Sequence, residues 1–335
     1  MKQERKVLRA GVVMILLAAV WRVAAGGNWM PVVEFLGSEK AAAFLFYLST
    51  GRVVHPEAAA REETQAAVGL IPTAATAPTE GEKPPQLQFS QEDTACFALY
   101  DLAKKPVDAQ ALLLSPLEWE LVGDAPTVLI LHTHATESYT KNGEDYEESA
   151  HYRTRDTHYN MVQIGARLTQ ALEAAGIGVI HDTTLHDYPS YTGSYNNSRK
   201  AVEDYLEAYP SIELVLDLHR DAALDAKGRQ MVTRAEVNGA VSAQLMLVVG
   251  TNASGLKHPN WKENMALAAK LHVTLEKAHE GIARPICFRA ERFNQDLHPG
   301  MLLIEVGSAG NTQQQAFLAT DCLAQAIIAL AHGAN

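Results

Sequence analysis

Residues 128–139 read VLILHTHATESY. Four apolar residues, Val128 to Leu131, run into two histidines, His132 and His134. An acid, Glu137, stands three residues after the second. A short apolar run of this kind reads as a strand buried on both faces of a parallel sheet. Polar residues after such a strand lie where open α/β sheets bind their ligands, beyond the carboxyl ends. His132, His134 and Glu137 therefore make a metal site, a proton-transfer site or a polar loop, and the rest of the chain bears on which.

The same device recurs. IELVLDLHRDA, Ile212–Ala222, is a second apolar strand closing on Asp217, His219, Arg220 and Asp221. GMLLIEVGSAGNT, Gly300–Thr312, is a third, and it carries Glu305. Thr127–His134, Ile177–Asp182 and Ala243–Thr251 complete the predicted strands. Between them lie predicted helices at Tyr159–Gly176, Asn196–Pro210, Asn260–Gly281 and Gln313–Gly333. In the first helix Met161, Ile164, Leu168 and Leu172 share one face, and Gly176 is placed to end it. Strands alternating with helices predict an α/β fold: a mostly parallel sheet flanked by helices on both faces. Strand ends distant in sequence then converge on one edge of that sheet.

Two imidazoles and one carboxylate are a donor set that zinc accepts while leaving a position open to water. Glu305 would then be the unbound acid–base residue. His132 is a further candidate, to orient a ligand or touch substrate. No H-E-x-x-H helix, G-x-S-x-G elbow, P-loop or dinucleotide fingerprint occurs. Cys96, Cys287 and Cys322 are far apart and read as small buried apolar residues rather than a zinc or disulfide framework. A net charge of −11 over 335 residues argues against a nucleic-acid partner.

The N-terminus has its own pattern. Lys2, Arg5, Lys6 and Arg9 precede an apolar stretch from Ala10 to Trp21, then Arg22 and VAAGG. Residues 1–26 are thus a membrane anchor or an export signal, and the positive-inside rule puts the chain after Gly26 outside the cytoplasm. Residues 27–92 hold a short apolar cluster at Ala41–Leu48 and then an Ala/Pro/Glu-rich stretch that reads as a disordered linker. The catalytic α/β domain is expected at 93–335.

LILHTHATESY (Leu129–Tyr139), RDTHYNMVQIGARL (Arg155–Leu168), LDLHRDA (Leu216–Ala222) and FNQDLHPGMLLIEVGSAGNT (Phe293–Thr312) resemble the stage II sporulation protein P family of cell-wall hydrolases. That family is related to zinc-dependent N-acetylmuramoyl-L-alanine amidases. The resemblance implies zinc held by His134, His219 and an acid, with Glu305 catalytic. The acid is Glu137, from its place in HTHATE, or Asp156, which stands four residues before Asn160-Met161 where the amidases carry a Glu. It implies a peptidoglycan substrate cut between muramic acid and L-alanine, with some cleavage of peptide cross-links. It also implies work at the engulfing membranes of sporulation, beside a partner that cleaves glycan strands. Arg220 and Arg155 are candidates to bind a peptide carboxylate. A non-catalytic wall-binding module and a zinc carboxypeptidase-like peptidase are the competing readings.

Overall fold

The computed structural model describes residues 87–333, apart from 118, 124, 142–151 and 225–227. The expected anchor at 1–26 and residues 27–86 of the expected linker lie outside the described residues. The described chain falls within one unit, Ala75–Asn335. Leu87 and Phe89 already pack against its core.

Nine strands and five α-helices are described. In chain order they are β1 (Leu99–Asp101), α1 (Ala109–Leu114), β2 (Pro126–Leu131), α2 (Met161–Ala174), β3 (Gly178–His181), α3 (Ser194–Ala208) and β4 (Leu214–Asp221). Then come β5 (Ala235–Val237), β6 (Ala240–Ser242), β7 (Leu245–Val249), α4 (Trp261–Ala278), β8 (Ile286–Phe288), β9 (Met301–Ser308) and α5 (Gln313–His332). Seven strands form one sheet in the order β1-β8-β7-β9-β4-β2-β3, and β5 and β6 form a separate hairpin.

Neighbours in the large sheet are parallel except β7 and β9, which run antiparallel. The sequence explains the exception. A parallel return needs a crossover, usually a helix, and the described residues between β4 and β7 hold the β5–β6 hairpin and no helix. β7 therefore comes back in the opposite sense, and β8 and β1 run with it. β9 then inserts between β7 and β4. This leaves β9, β4 and β2 as parallel neighbours with their carboxyl ends together, and those are the three strands that carry Glu305, His219 and the His134 turn.

Alternation sorts each strand between two cores. Val128 and Ile130 face α2, α4 and α5 with Leu216, Leu218, Ile304 and Val306. Leu129 and Leu131 face the other way, with Val202 of α3, Val215 and Met301. Helices thus cover both faces. Asn160 caps α2 by accepting from the Val162 N–H at 3.0 Å. Gly176, at φ +76, turns the chain out of that helix where a side chain is disfavoured. Thr312 and Gln315 form a reciprocal capping box on α5. α5 is long and apolar enough to cross a membrane by length and composition. Its Ala316, Leu323, Ile327 and Leu330 are buried in the core. Cys287 and Cys322 are buried, Cys96 is half-buried, and all three are free thiols.

Candidate active site

β2 ends at Leu131, and His134 begins a tight turn rather than continuing the strand. The Glu137 N–H donates to the His134 carbonyl at 3.0 Å and closes that turn. This three-residue spacing folds the Glu137 carboxylate back toward the sheet. Residues 136–138 then pair with 152–154, through Thr154 N–H to Thr136 O at 2.8 Å and Ser138 N–H to Tyr152 O at 3.0 Å. The turn that carries Glu137 is thereby tied to the segment that carries Arg153.

His134, Glu137, His219 and Glu305 converge there. The rings of His134 and His219 meet edge to face, with centroids 5.3 Å apart. His219 Nδ1 faces Glu137 Oε2 at 3.7 Å, and its Nε2 lies 2.9 Å from Asp217 Oδ1. The second contact is short but poorly aligned with the ring N–H. Asp217 is anchored in turn by the Thr133 N–H at 2.7 Å and the Thr133 hydroxyl at 2.6 Å. Glu305 stands in register with His219 on the next strand, half-buried, and its Oε2 is buried without a hydrogen-bond partner.

The electrostatics stem from burial and from a surplus of carboxylates. Burial drives His134 down to about 3, and the neighbouring His219 adds to the effect, so its imidazole is neutral near neutral pH. Burial alone would also lower His219. Asp217, then Glu137 and Glu305, overcome it and hold the ring at about 9. Burial pushes Glu305 up to about 8; Glu137 and Asp221 push the same way, against His219 and Arg220. The Tyr195 hydroxyl, beside both imidazoles, is raised well above its ordinary value by burial and by Asp217.

The other candidates separate. His132 is buried on the opposite side of the sheet, with Nδ1 3.2 Å from the Leu218 carbonyl and Nε2 2.9 Å from His181 Nε2. Asp156 accepts from the His158 N–H at 3.1 Å and lies 3.0 Å from the His158 ring. Asp221 pairs with Arg284 at 2.7 Å. Arg220 is buried and engaged: its N–H meets Glu137 Oε2 at 3.2 Å, Nε donates to Ser138 O at 3.0 Å, and Nη2 to Tyr152 O at 3.0 Å. It is a clamp on the Glu137 turn rather than an open fork for substrate. Arg155 is exposed, and its Nη1 donates to the Tyr188 hydroxyl at 2.9 Å.

Sequence reasoning passed over the β3–α3 loop. Asp187 there accepts from the Thr136 hydroxyl at 2.6 Å and from Arg153 Nη1 at 2.8 Å. Arg153 also reaches Glu137 at 3.2 Å and lies 4.6 Å from the Tyr191 ring centroid. Tyr191, more than half exposed, stacks on His134 with centroids 4.4 Å apart and planes 13° off parallel. Ser194 places its hydroxyl 3.3 Å from His134 Nδ1. Asp187 and Tyr191 sit in a loop without periodicity, and the spacing of Tyr188, Tyr191 and Tyr195 is the one signal of it in the sequence.

The donors fit a divalent cation in type. Two imidazoles, one of them neutral, lie beside Glu137, and an orphaned Glu305 oxygen lies close by. Among the described residues no three His, Cys, Asp or Glu side chains are drawn together as a metal cage. Glu137 is instead paired with Arg153 and Arg220.

Fold and site together define an α/β protein with a histidine–carboxylate centre at the carboxyl ends of three neighbouring parallel strands. Residues 46–328 match the family Stage II sporulation protein P (SpoIIP), and the chain belongs to that family. Stage II sporulation protein P of Bacillus subtilis (strain 168) is 29% identical over 247 residues, which are 70% of this chain and 58% of that protein. The chain thus spans less than two thirds of that relative's length. Among solved structures, an N-acetylmuramoyl-L-alanine amidase from Clostridium difficile 630 is 17% identical, with TM-score 0.34, covering 62% of this chain and 94% of its own. Ami1, an N-acetylmuramyl-L-alanine amidase from Mycobacterium smegmatis, is 11% identical, with TM-score 0.37, covering 63% and 98%. At these identities and scores the likeness says nothing of this chain's chemistry.

Proposed function

We propose that residues 93–335 form a peptidoglycan hydrolase that cleaves the amide between N-acetylmuramic acid and L-alanine during sporulation. One observation carries the reading: an unpartnered buried carboxylate oxygen, that of Glu305, sits in register beside His219, with His134 and Glu137 close by. Membership of the sporulation family supports the setting. Peptide cross-links are a second substrate. The basic and apolar segment at 1–26 tethers the domain to the membrane on its outer side, where a glycan-strand-cleaving protein is its partner.

His134, Glu137 and His219 would hold zinc, with Asp217 beside Nε2 of His219 to orient the ring. When bound, zinc supplies Lewis acidity, lowering the pKa of a water and drawing charge from the amide carbonyl. Glu305 takes the proton of the attacking water and returns it to the nitrogen of the leaving amine. Its Oε2 has no hydrogen-bond partner among the described residues and is open to that exchange. Tyr191 covers a face of His134, and Arg220 fixes Glu137 so that its turn is rigid before substrate arrives.

The ion pairs of Glu137 with Arg153 and Arg220 favour a competing reading, a wall-binding module without chemistry. Elemental analysis of the purified chain and of its variants separates the two. The hydrolase reading expects stoichiometric zinc in wild type and in Glu305→Gln, loss of hydrolysis in Glu305→Gln, and loss of both in His219→Ala. A folded wild-type chain that takes up no zinc favours the module.

A further inference from the structure

We propose that Arg155, held by Tyr188, is a subsite for a free carboxylate of the substrate; this rests on the hydrolase reading above. Three arginines come from two of the segments around the centre, and two of them are already engaged. Arg220 is buried against Glu137 and two carbonyls. Arg153 is bound to Asp187 and Glu137. Arg155 is different. It stands two residues beyond Arg153 and is exposed, and among the described residues it meets no carboxylate.

Arg155 is nevertheless not a loose surface side chain. Nη1 donates to the Tyr188 hydroxyl at 2.9 Å, and the guanidinium carbon lies 4.9 Å from the Tyr188 ring centroid. Both contacts come from the one tyrosine and hold the guanidinium beside its ring. The Nε and Nη2 edge of the guanidinium is left without a partner among the described residues. That edge offers two parallel N–H donors, the geometry that grips a carboxylate bidentately.

The location suits this role. Tyr188 and Tyr191 belong to one loop, and Tyr191 stacks on His134. The Arg155–Tyr188 pair therefore flanks the Arg153–Tyr191 pair at the rim of the centre. Inside lie Glu137, Asp187 and Asp217, all buried, and the half-buried Glu305. The interior arginines, Arg153 and Arg220, are already paired with Glu137 and Asp187, so neither is open to a substrate carboxylate. A fixed guanidinium at the rim gives it a place to lie while the neutral amide enters. Peptide stems carrying free carboxylates are the matching chemical class, and carboxamide-bearing stems are not.

The test uses the full chain and a pair of muropeptides that differ only in a stem carboxylate or its carboxamide. Wild type is expected to hydrolyse both and to show a KM at least tenfold lower for the carboxylate. Arg155→Ala should raise KM for the carboxylate substrate about tenfold or more, leave kcat within twofold, and erase the preference between the two. Tyr188→Phe, which removes only the hydroxyl that fixes the guanidinium, should raise KM by a smaller factor. If wild type hydrolyses both substrates and Arg155→Ala keeps the wild-type preference, the subsite is wrong and the hydrolase reading stands. If wild type hydrolyses neither, both fall.

Discussion

His219 on β4 and Glu305 on β9 are register partners on adjacent parallel strands. Both side chains consequently leave the same face of the sheet, a strand spacing apart, about 4.8 Å between backbones. A carboxylate mounted on a central strand has little freedom to adjust. Shortening it in Glu305→Asp should withdraw the acid from the reacting water without disturbing the imidazoles. The expected result is a fall in kcat of about a hundredfold with zinc content unchanged. Steady-state hydrolysis and elemental analysis on the same sample check it; near-wild-type kcat removes Glu305 from proton transfer.

Asp217 acts through His219. It is fully buried, close to Nε2, and anchored by both Thr133 donors. Asp217→Asn should weaken zinc binding by about ten- to a hundredfold, since a carboxylate behind a ligand sets its orientation and basicity. Competition against a chromophoric chelator reads this directly. Unchanged affinity would mean that Asp217 serves only the packing of β4.

Gly165 of α2 faces the pair formed by buried His132 and half-buried His181. A Cβ built there would lie 2.3 Å from His181 Nε2 and 2.5 Å from His132 Nε2. Gly165→Ala gains helix propensity yet overpacks this contact. We expect a net loss of stability of about 1–3 kcal/mol in urea unfolding. A stabilised variant would show that the histidine pair can move aside.

Asp182, buried after β3, accepts from the Thr184 N–H at 2.9 Å and lies 2.9 Å from His186 Nε2. Burial alone would raise its carboxyl, but these partners outweigh it and hold it at about 2, against 3.8 for an ordinary aspartate. Between those values the unfolded chain binds more protons than the folded one. The stabilisation is therefore complete above pH 3.8 and is lost as pH falls through 2. The stability gap between wild type and Asp182→Asn should shrink by about 2 kcal/mol from about pH 6 to about pH 2. A gap independent of pH would contradict the shift.

Much of this arrangement is legible in the residues alone. Apolar runs of three to five residues mark β2, β4, β7 and β9, and long amphipathic stretches mark α2 to α5. The histidines and Glu305 stand out because polar residues rarely close such runs. Three-residue strands such as β1 and β8 carry too few side chains to show a period. The reversed β7 depends on the missing crossover helix, which a strand-by-strand reading does not weigh. Glu137 and Asp156 are equal in type and both lie C-terminal to His134. Only the turn closed by the Glu137 N–H and the antiparallel pairing of 136–138 with 152–154 place one against His219 and the other against His158. Arg153, Asp187 and Tyr191 meet through two irregular loops, and nothing local in either loop encodes that meeting.

The central claim is hydrolysis of an amide at L-alanine, and its direct measurement is amino-terminal analysis of peptidoglycan after digestion. Purified sacculi treated with the full chain should release stem peptides bearing new free alanine amines, and Glu305→Gln should release none. Soluble products without new alanine amino termini, or equal release by the variant, would contradict the account.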